Sequence, residues 1–144
     1  WLIDWGTGLL EDLALTEKIA AINTQLADSV LKTAFDGASL ANECENGIVD
    51  THRVWWVQAE ALLGFVNKYG KHPDRTKFRD AAASLWRFIT EKVEDPRPGG
   101  EWFWRLGGDG TPDTSKPMVE PWKCPYHNGR MCLELIRRDP DVYV

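Results

Sequence analysis

The chain has 144 residues and a mass of 16.4 kDa, one domain's length, able to bury roughly two thirds of its unfolded surface in a single core; two independent domains are excluded. Hydrophobic residues make up 43% and charged residues 27%, which excludes a disordered polymer, and 17 basic against 22 acidic side chains, net −5, exclude a nucleic-acid partner. No apolar run approaches the roughly 18 to 20 residues of a membrane span, and Asp4, Glu11 and Asp12 stand where a secretory signal is basic and then apolar, so no membrane partner is expected.

Taken in chain order, Leu2, Leu9 and Leu13 with Trp5 recur at roughly helical spacing, and Thr16 is a candidate N-cap for a second helix. Two helices are expected within residues 1–35. In the second, Ile19, Ile22, Leu26, Val30 and Thr33 or Ala34 form one buried stripe, and Asp36-Gly37 supplies the stop. Periodicity then vanishes, and Asn46-Gly47 between residues 39–43 and 48–51 reads as a small hairpin. A third helix is expected over residues 51–69, with Trp55, Ala59, Leu62, Phe65 or Val66, and Tyr69 on its core face. Arg53, Trp56, Glu60, Gly64 and Asn67 share a second face, which lines a cavity or forms a second packing surface. Pro73 suits the first turn of a fourth helix, in which Phe78, Ala82, Leu85, Ile89 and Val93 repeat until Asp95-Pro96. Residues 101–106 alternate as a short strand. A polar loop over residues 111–121 leads to a last helix through Met131, Leu135 and Ile136, closed by Pro140. With no βαβ alternation, the expected class is all-α, built from antiparallel helical hairpins with short β-hairpins in the loops.

Several residues could carry chemistry. Eight tryptophans serve either as core filling or as flat apolar platforms for pyranose rings. His127 lies among Trp, Cys, Tyr, Asn and Arg at a helix entry, where backbone N–H groups are unpaired, and an imidazole titrates near neutrality. It is either an acid/base group or a locally satisfied histidine. His52 and His72 read as surface or capping residues. Cys124 three residues before His127 is a weak signal for a thiol nucleophile or half a metal site, and no further ligand pair has suitable spacing, so no metal is expected. Asp50, Glu60, Glu101 and Glu120 could supply a glycosidase's two carboxylates, but spacing alone does not pair them. The turn Gly107 to Gly110 lacks the ending of a phosphate loop. Cys44, Cys124 and Cys132, an odd set, read as reduced thiols in a cytoplasmic protein.

Three motifs now bear on identity: Trp55-Trp56-Val57-Gln58-Ala59-Glu60-Ala61, then Gly100-Glu101-Trp102-Phe103-Trp104, then Trp122-Lys123-Cys124-Pro125-Tyr126-His127-Asn128-Gly129-Arg130. In this order and at these separations they resemble the carboxyl-terminal part of the cellobiose 2-epimerases, a branch of the N-acylglucosamine 2-epimerase superfamily. The resemblance implies an (α/α)6 barrel around a sugar pocket, with residues 1–144 a carboxyl-terminal fragment of one catalytic domain. It maps Trp56, Glu60 and Trp122 onto sugar-contacting residues and His127 onto a catalytic acid/base, and makes Arg130 an orienting residue. The implied reaction inverts C2 of the reducing-end glucose of a β-1,4 disaccharide through an enediolate, without cofactor or metal. The family's second histidine, in a Gly-His-x-x-Glu motif, has no match here, and neither His52 nor His72 replaces it. The opening on Trp1 without Met places the natural start upstream. A fragment inactive alone is therefore expected, self-associating through uncovered barrel faces. The alternatives are a glycosidase or lyase on the same toroid, an aldose-ketose isomerase, and a non-catalytic sugar-binding remnant.

Overall fold

Seventeen residues of one helix organise everything else. The computed structural model describes residues 1–138, and its central element is α3, Trp55–Lys71. Before it come α1 (Leu2–Thr7), α2 (Leu13–Thr33) and three short strands, β1 (Glu43–Glu45), β2 (Ile48–Asp50) and β3 (Arg53–Val54). After it come α4 (Thr76–Phe88), a π-helical turn (Ile89–Val93), β4 (Arg105–Leu106) and α5 (Tyr126–Arg137). Antiparallel helical pairs dominate, as in part of an (α/α)6 barrel, and the strands form two small antiparallel pairs. The expected closure of α5 by Pro140 lies outside the described residues.

The core is the apolar face of α3 against α4 and α5. Trp55, Ala59, Leu62, Phe65 and Val66 from α3 meet Phe78, Ala82 and Leu85 from α4, Ile89 and Val93 from the π turn, and Met131 from α5, all buried. Phe65 stands edge-on to Phe35 at 5.6 Å and tilted against Phe78 at 6.2 Å, so aromatic contacts link the loop after α2 to α4.

Local rules account for the hairpin. Asn46 (φ 51°) and Gly47 (φ 80°) both take the left-handed conformation that a two-residue turn between right-twisted strands requires. The register follows: Glu43 opposite Asp50, Cys44 opposite Val49 and Glu45 opposite Ile48.

Four expectations are corrected. Asp12, not Thr16, caps α2, because its extended backbone lets the carboxylate accept from Leu15 N at 2.9 Å. The helix starts four residues earlier, and Thr16 instead donates to the Asp12 carbonyl at 2.8 Å. The α2 stripe is not buried: Ile22, Leu26 and Val30 are exposed, while Ala27, Leu31 and Ala34 approach the core. Among the described residues no element covers the other face. Pro73 lies in the α3–α4 connection, because α3 continues to Lys71 and α4 begins only at Thr76. Finally, residues 101–106 form a strand only at Arg105–Leu106; upstream, Phe103 N donates to Val93 O and Asp95 N to Glu101 O, both at 2.8 Å, which docks the segment along the π turn. Glu101 and Phe103 are therefore the buried positions, and Trp102 and Trp104 are half-buried.

Asp4 ties the amino-terminal helices to α3. Its buried carboxylate accepts from Asn23 Nδ2 at 2.8 Å, Asn67 Nδ2 at 2.6 Å and Lys68 Nζ at 2.9 Å, which join α1, α2 and α3. Burial alone raises its pKa, but the hydrogen bonds from Asn23 and Lys68 and the charges of Lys68 and Lys71 outweigh burial and hold it at about 2. A depressed carboxyl contributes stability above its unfolded pKa of about 3.9 and loses it as pH falls. Asp4→Asn is expected to cost about 3–5 kcal/mol in urea unfolding near neutrality, by stranding the Lys68 charge. It also removes this carboxyl's share of the stability lost between about pH 4 and pH 2, measured as a shallower acid limb.

Candidate functional site

The polar face of α3 and the first turn of α5 meet at one carboxylate. The β3–β4 pair, Arg53 opposite Leu106 and Val54 opposite Arg105, delivers the chain into α3, and Trp55 N donates to Trp104 O at 3.3 Å. Glu60 follows one and a half turns later. At the other wall, Pro125 caps α5 and Gly129 N donates to its carbonyl at 3.1 Å, so His127 and Asn128 occupy the first turn.

Glu60 gathers three donors from distant parts of the chain. Its Oε1 accepts from His127 Nδ1 at 2.8 Å and Arg130 Nη2 at 2.5 Å, and its Oε2 accepts from Trp1 Nε1 at 2.8 Å. Burial pushes the Glu60 carboxyl up, but the hydrogen bonds from His127, Trp1 and Arg130 and the Arg130 charge hold it below the usual glutamate range. An ionised carboxylate can only accept, so His127 donates through Nδ1, and the lone pair of the neutral ring sits on Nε2. Nε2 has no hydrogen-bond partner among the described residues and is not sealed from solvent.

The ring orientation is fixed on three sides. Trp55 meets the imidazole edge-on at 5.4 Å and 75°, Tyr126 at 5.0 Å and 74°, and Trp56 lies tilted at 5.7 Å and 39°. Arg130 is clamped between Glu60 and aromatic faces, 4.4 Å from the Tyr126 centroid and 5.2 Å from that of Trp1. A cavity of about 360 Å³ opens beside Glu60, lined by Trp1, Trp56, Gly64, Lys68 and apolar residues of α2 and α3.

The structure thus brings together His127, Glu60 and Trp56, with Trp56 43% exposed. Trp122 is not with them: it is 89% exposed and its ring makes no stacking contact with His127 or Trp56. His127 does not line the cavity, which it borders only through Glu60 and Trp56. Arg53 leaves the second face of α3, because it precedes the helix and turns to Asp36 Oδ2 at 2.7 Å and Ser39 Oγ at 2.8 Å. The remaining carboxylates are occupied separately: Asp50 by His52, Glu101 by Asn128 Nδ2 and Glu120 by the Trp104 indole. Among the described residues no group of three metal-ligating side chains converges. Sequence reasoning missed Trp1 as a Glu60 donor, for which no local signal exists at a separation of 59 residues. It also missed Trp55 and Tyr126 as walls of the imidazole, although both flank named motif residues.

The family model described as N-acylglucosamine 2-epimerase (GlcNAc 2-epimerase) matches residues 1–128. The chain is 49% identical over 142 residues to a cellobiose 2-epimerase of Eubacterium cellulosolvens, covering 99% of this chain and 35% of that protein. It is 49% identical over 138 residues to the cellobiose 2-epimerase of Dictyoglomus turgidum, covering 96% and 35%. Its fold matches the crystal structure of a sugar epimerase from a ruminal bacterium with a TM-score of 0.90 at 43% identity, over 96% of this chain and 35% of that one. The chain therefore spans about a third of the length of the curated relatives it matches.

Glu60→Gln removes the charge that balances Arg130 and turns one of the two acceptor oxygens into an amide donor, which must face the Trp1 indole or the His127–Arg130 pair. The expected cost is about 1–3 kcal/mol in urea unfolding at neutral pH. Because the carboxyl is held low, the difference from the parent persists above the ordinary glutamate range and shrinks as pH falls through the folded value, seen by repeating the unfolding at decreasing pH.

Proposed function

We propose, from the premise that this chain belongs to the N-acylglucosamine 2-epimerase family, that it carries one acid/base wall of a carbohydrate 2-epimerase. The substrate is a cellobiose-like β-1,4 disaccharide, and the reaction converts its reducing-end glucose to mannose. The observation that carries the reading is the Glu60–His127 hydrogen bond, which leaves Nε2 as the ring's free base.

Ring opening exposes a C1 aldehyde, which acidifies the proton on C2. His127 Nε2 takes or returns that proton on one face, and the electron pair left on C2 delocalises to O1 as an enediolate. Glu60 stabilises the imidazolium form and keeps the ring aimed, while Trp56 offers a flat apolar surface to a sugar ring. Trp122, wholly exposed, adds a second surface only where a bound sugar reaches it. Inversion requires a proton donor on the opposite face of C2. His52 is paired with Asp50 at 2.5 Å and His72 lies at the carboxyl end of α3; neither is assigned that role. The 144-residue chain is therefore one part of the catalytic barrel and lacks epimerase activity by itself. A cytoplasmic setting belongs to the same reading, consistent with an odd cysteine count.

Self-association is the second part of the proposal. Ile22, Leu26 and Val30 recur every four residues as one exposed stripe of α2. A second copy presenting this stripe would bury it on both copies by isologous pairing.

Two measurements test the reading. Replacing the matching segment of the Eubacterium cellulosolvens relative by this chain should give a barrel that exchanges the C2 proton of cellobiose in heavy water. In that chimera His127→Asn should lower the rate by about 10²- to 10⁴-fold. An undiminished His127→Asn rate, or robust exchange by the 144-residue chain alone, contradicts the proposal. Sedimentation velocity at micromolar concentration should show a dimer or larger species, and a single 16.4 kDa component overturns the self-association.

A further inference from the structure

Against the Trp55 ring, on which His127 also packs, lies a fully buried cation that the proposed chemistry does not use. Lys123 is 0% exposed and sits in a tight turn, where Lys123 N donates to Glu120 O at 2.9 Å and Glu120 N returns a bond to Lys123 O at 3.1 Å. Its ammonium donates to Met118 O at 2.7 Å, lies 3.4 Å from Glu101 Oε1 and stands 5.2 Å from the centroid of the Trp55 ring. Burial drives its pKa below the ordinary lysine range, against the opposing pull of Glu101.

Both partners lead to the same step of α5. The Trp55 ring touched by the ammonium meets the His127 imidazole edge-on at 5.4 Å. Glu101 Oε1 accepts from Asn128 Nδ2 at 2.7 Å and from Trp102 N at 2.8 Å, which fixes the residue next to His127. A buried charge is a weak source of stability, since an apolar side chain of similar volume in its place is often neutral or stabilising. What the ammonium adds is direction: it orders the carboxylate and the indole that hold two consecutive residues of the α5 first turn.

We infer that Lys123 is a positioning residue for His127, acting through the Trp55 ring and the Glu101 carboxylate. The inference rests on the reading of His127 as an acid/base group, and its consequence is a ring that keeps one orientation toward a sugar.

The test reads the imidazole directly in the ¹⁵N-labelled 144-residue chain, independently of turnover. Lys123→Met keeps the side chain's length and removes its charge, Glu101→Gln keeps its shape and removes the counter-charge, and Ile89→Val, which trims the apolar core without touching a charge, is the destabilised control. The expected result is loss of the sharp His127 Nδ1–H resonance in Lys123→Met and Glu101→Gln, with an unfolding midpoint for Lys123→Met near the parent's, and an intact resonance in Ile89→Val. Should Lys123→Met not fold, Glu101→Gln decides. An unmoved resonance in the charge-removing variants that fold, or equal loss in Ile89→Val, overturns the inference. C2 exchange by the chimera is a separate readout, so failure of the epimerase reading is distinguishable from failure of this one.

Discussion

One carboxylate on α3 must satisfy three donors at once, and the rest of the site is arranged around that demand. Glu60 accepts from Trp1, His127 and Arg130, residues 59, 67 and 70 positions away. A half-buried carboxylate surrounded by donors stays ionised, and an ionised carboxylate beside an imidazole dictates which nitrogen carries the proton. The same side chain therefore does structural and chemical work: it joins the amino terminus, α3 and α5, and it leaves Nε2 as the base.

The two faces of α3 divide these duties. Its apolar face is buried against α4 and α5, while its polar face carries Trp56, Glu60, Gly64, Asn67 and Lys68 toward α1, α2 and the cavity. Asp4 makes a second polar node about two turns along the helix, where Asn67 and Lys68 converge with Asn23. Two polar nodes on one face set the placement of the amino-terminal helices, because a register slip would strand a buried charge at each. Lys123 and Glu101 form a third node below α5, so the imidazole is fixed through hydrogen bonds, ring contacts and the backbone of its own helix turn.

Much of this was legible in the sequence, for physical reasons that differ between elements. The core stripes of α3 and α4 follow the helical period, and Ile89 and Val93 remain buried even through the π turn. Asn46-Gly47 specifies its turn by backbone sterics alone. The resemblance singled out Trp56, Glu60, Trp122 and His127 separately; the hydrogen bond between Glu60 and His127 had no signal in the sequence. The stripe on α2 misled because periodicity reports an apolar face but not whether anything covers it. Arg53 misled because two residues of strand precede α3 and take it off the helical face. Trp122 shared a motif with His127, yet the intervening turn through Lys123 carries its indole into solvent while burying its neighbour. The donors to Glu60 and Asp4 lie at separations no local pattern encodes.

The central claim is that Glu60 holds His127 with its proton on Nδ1 and its lone pair on Nε2. Long-range ¹H–¹⁵N correlation of the imidazole, which reports the proton on each ring nitrogen separately, tests this most directly. The account predicts a protonated Nδ1 and an unprotonated Nε2 in the parent chain. A neutral ring protonated at Nε2 would contradict it, because the nitrogen assigned as the base would then carry the hydrogen.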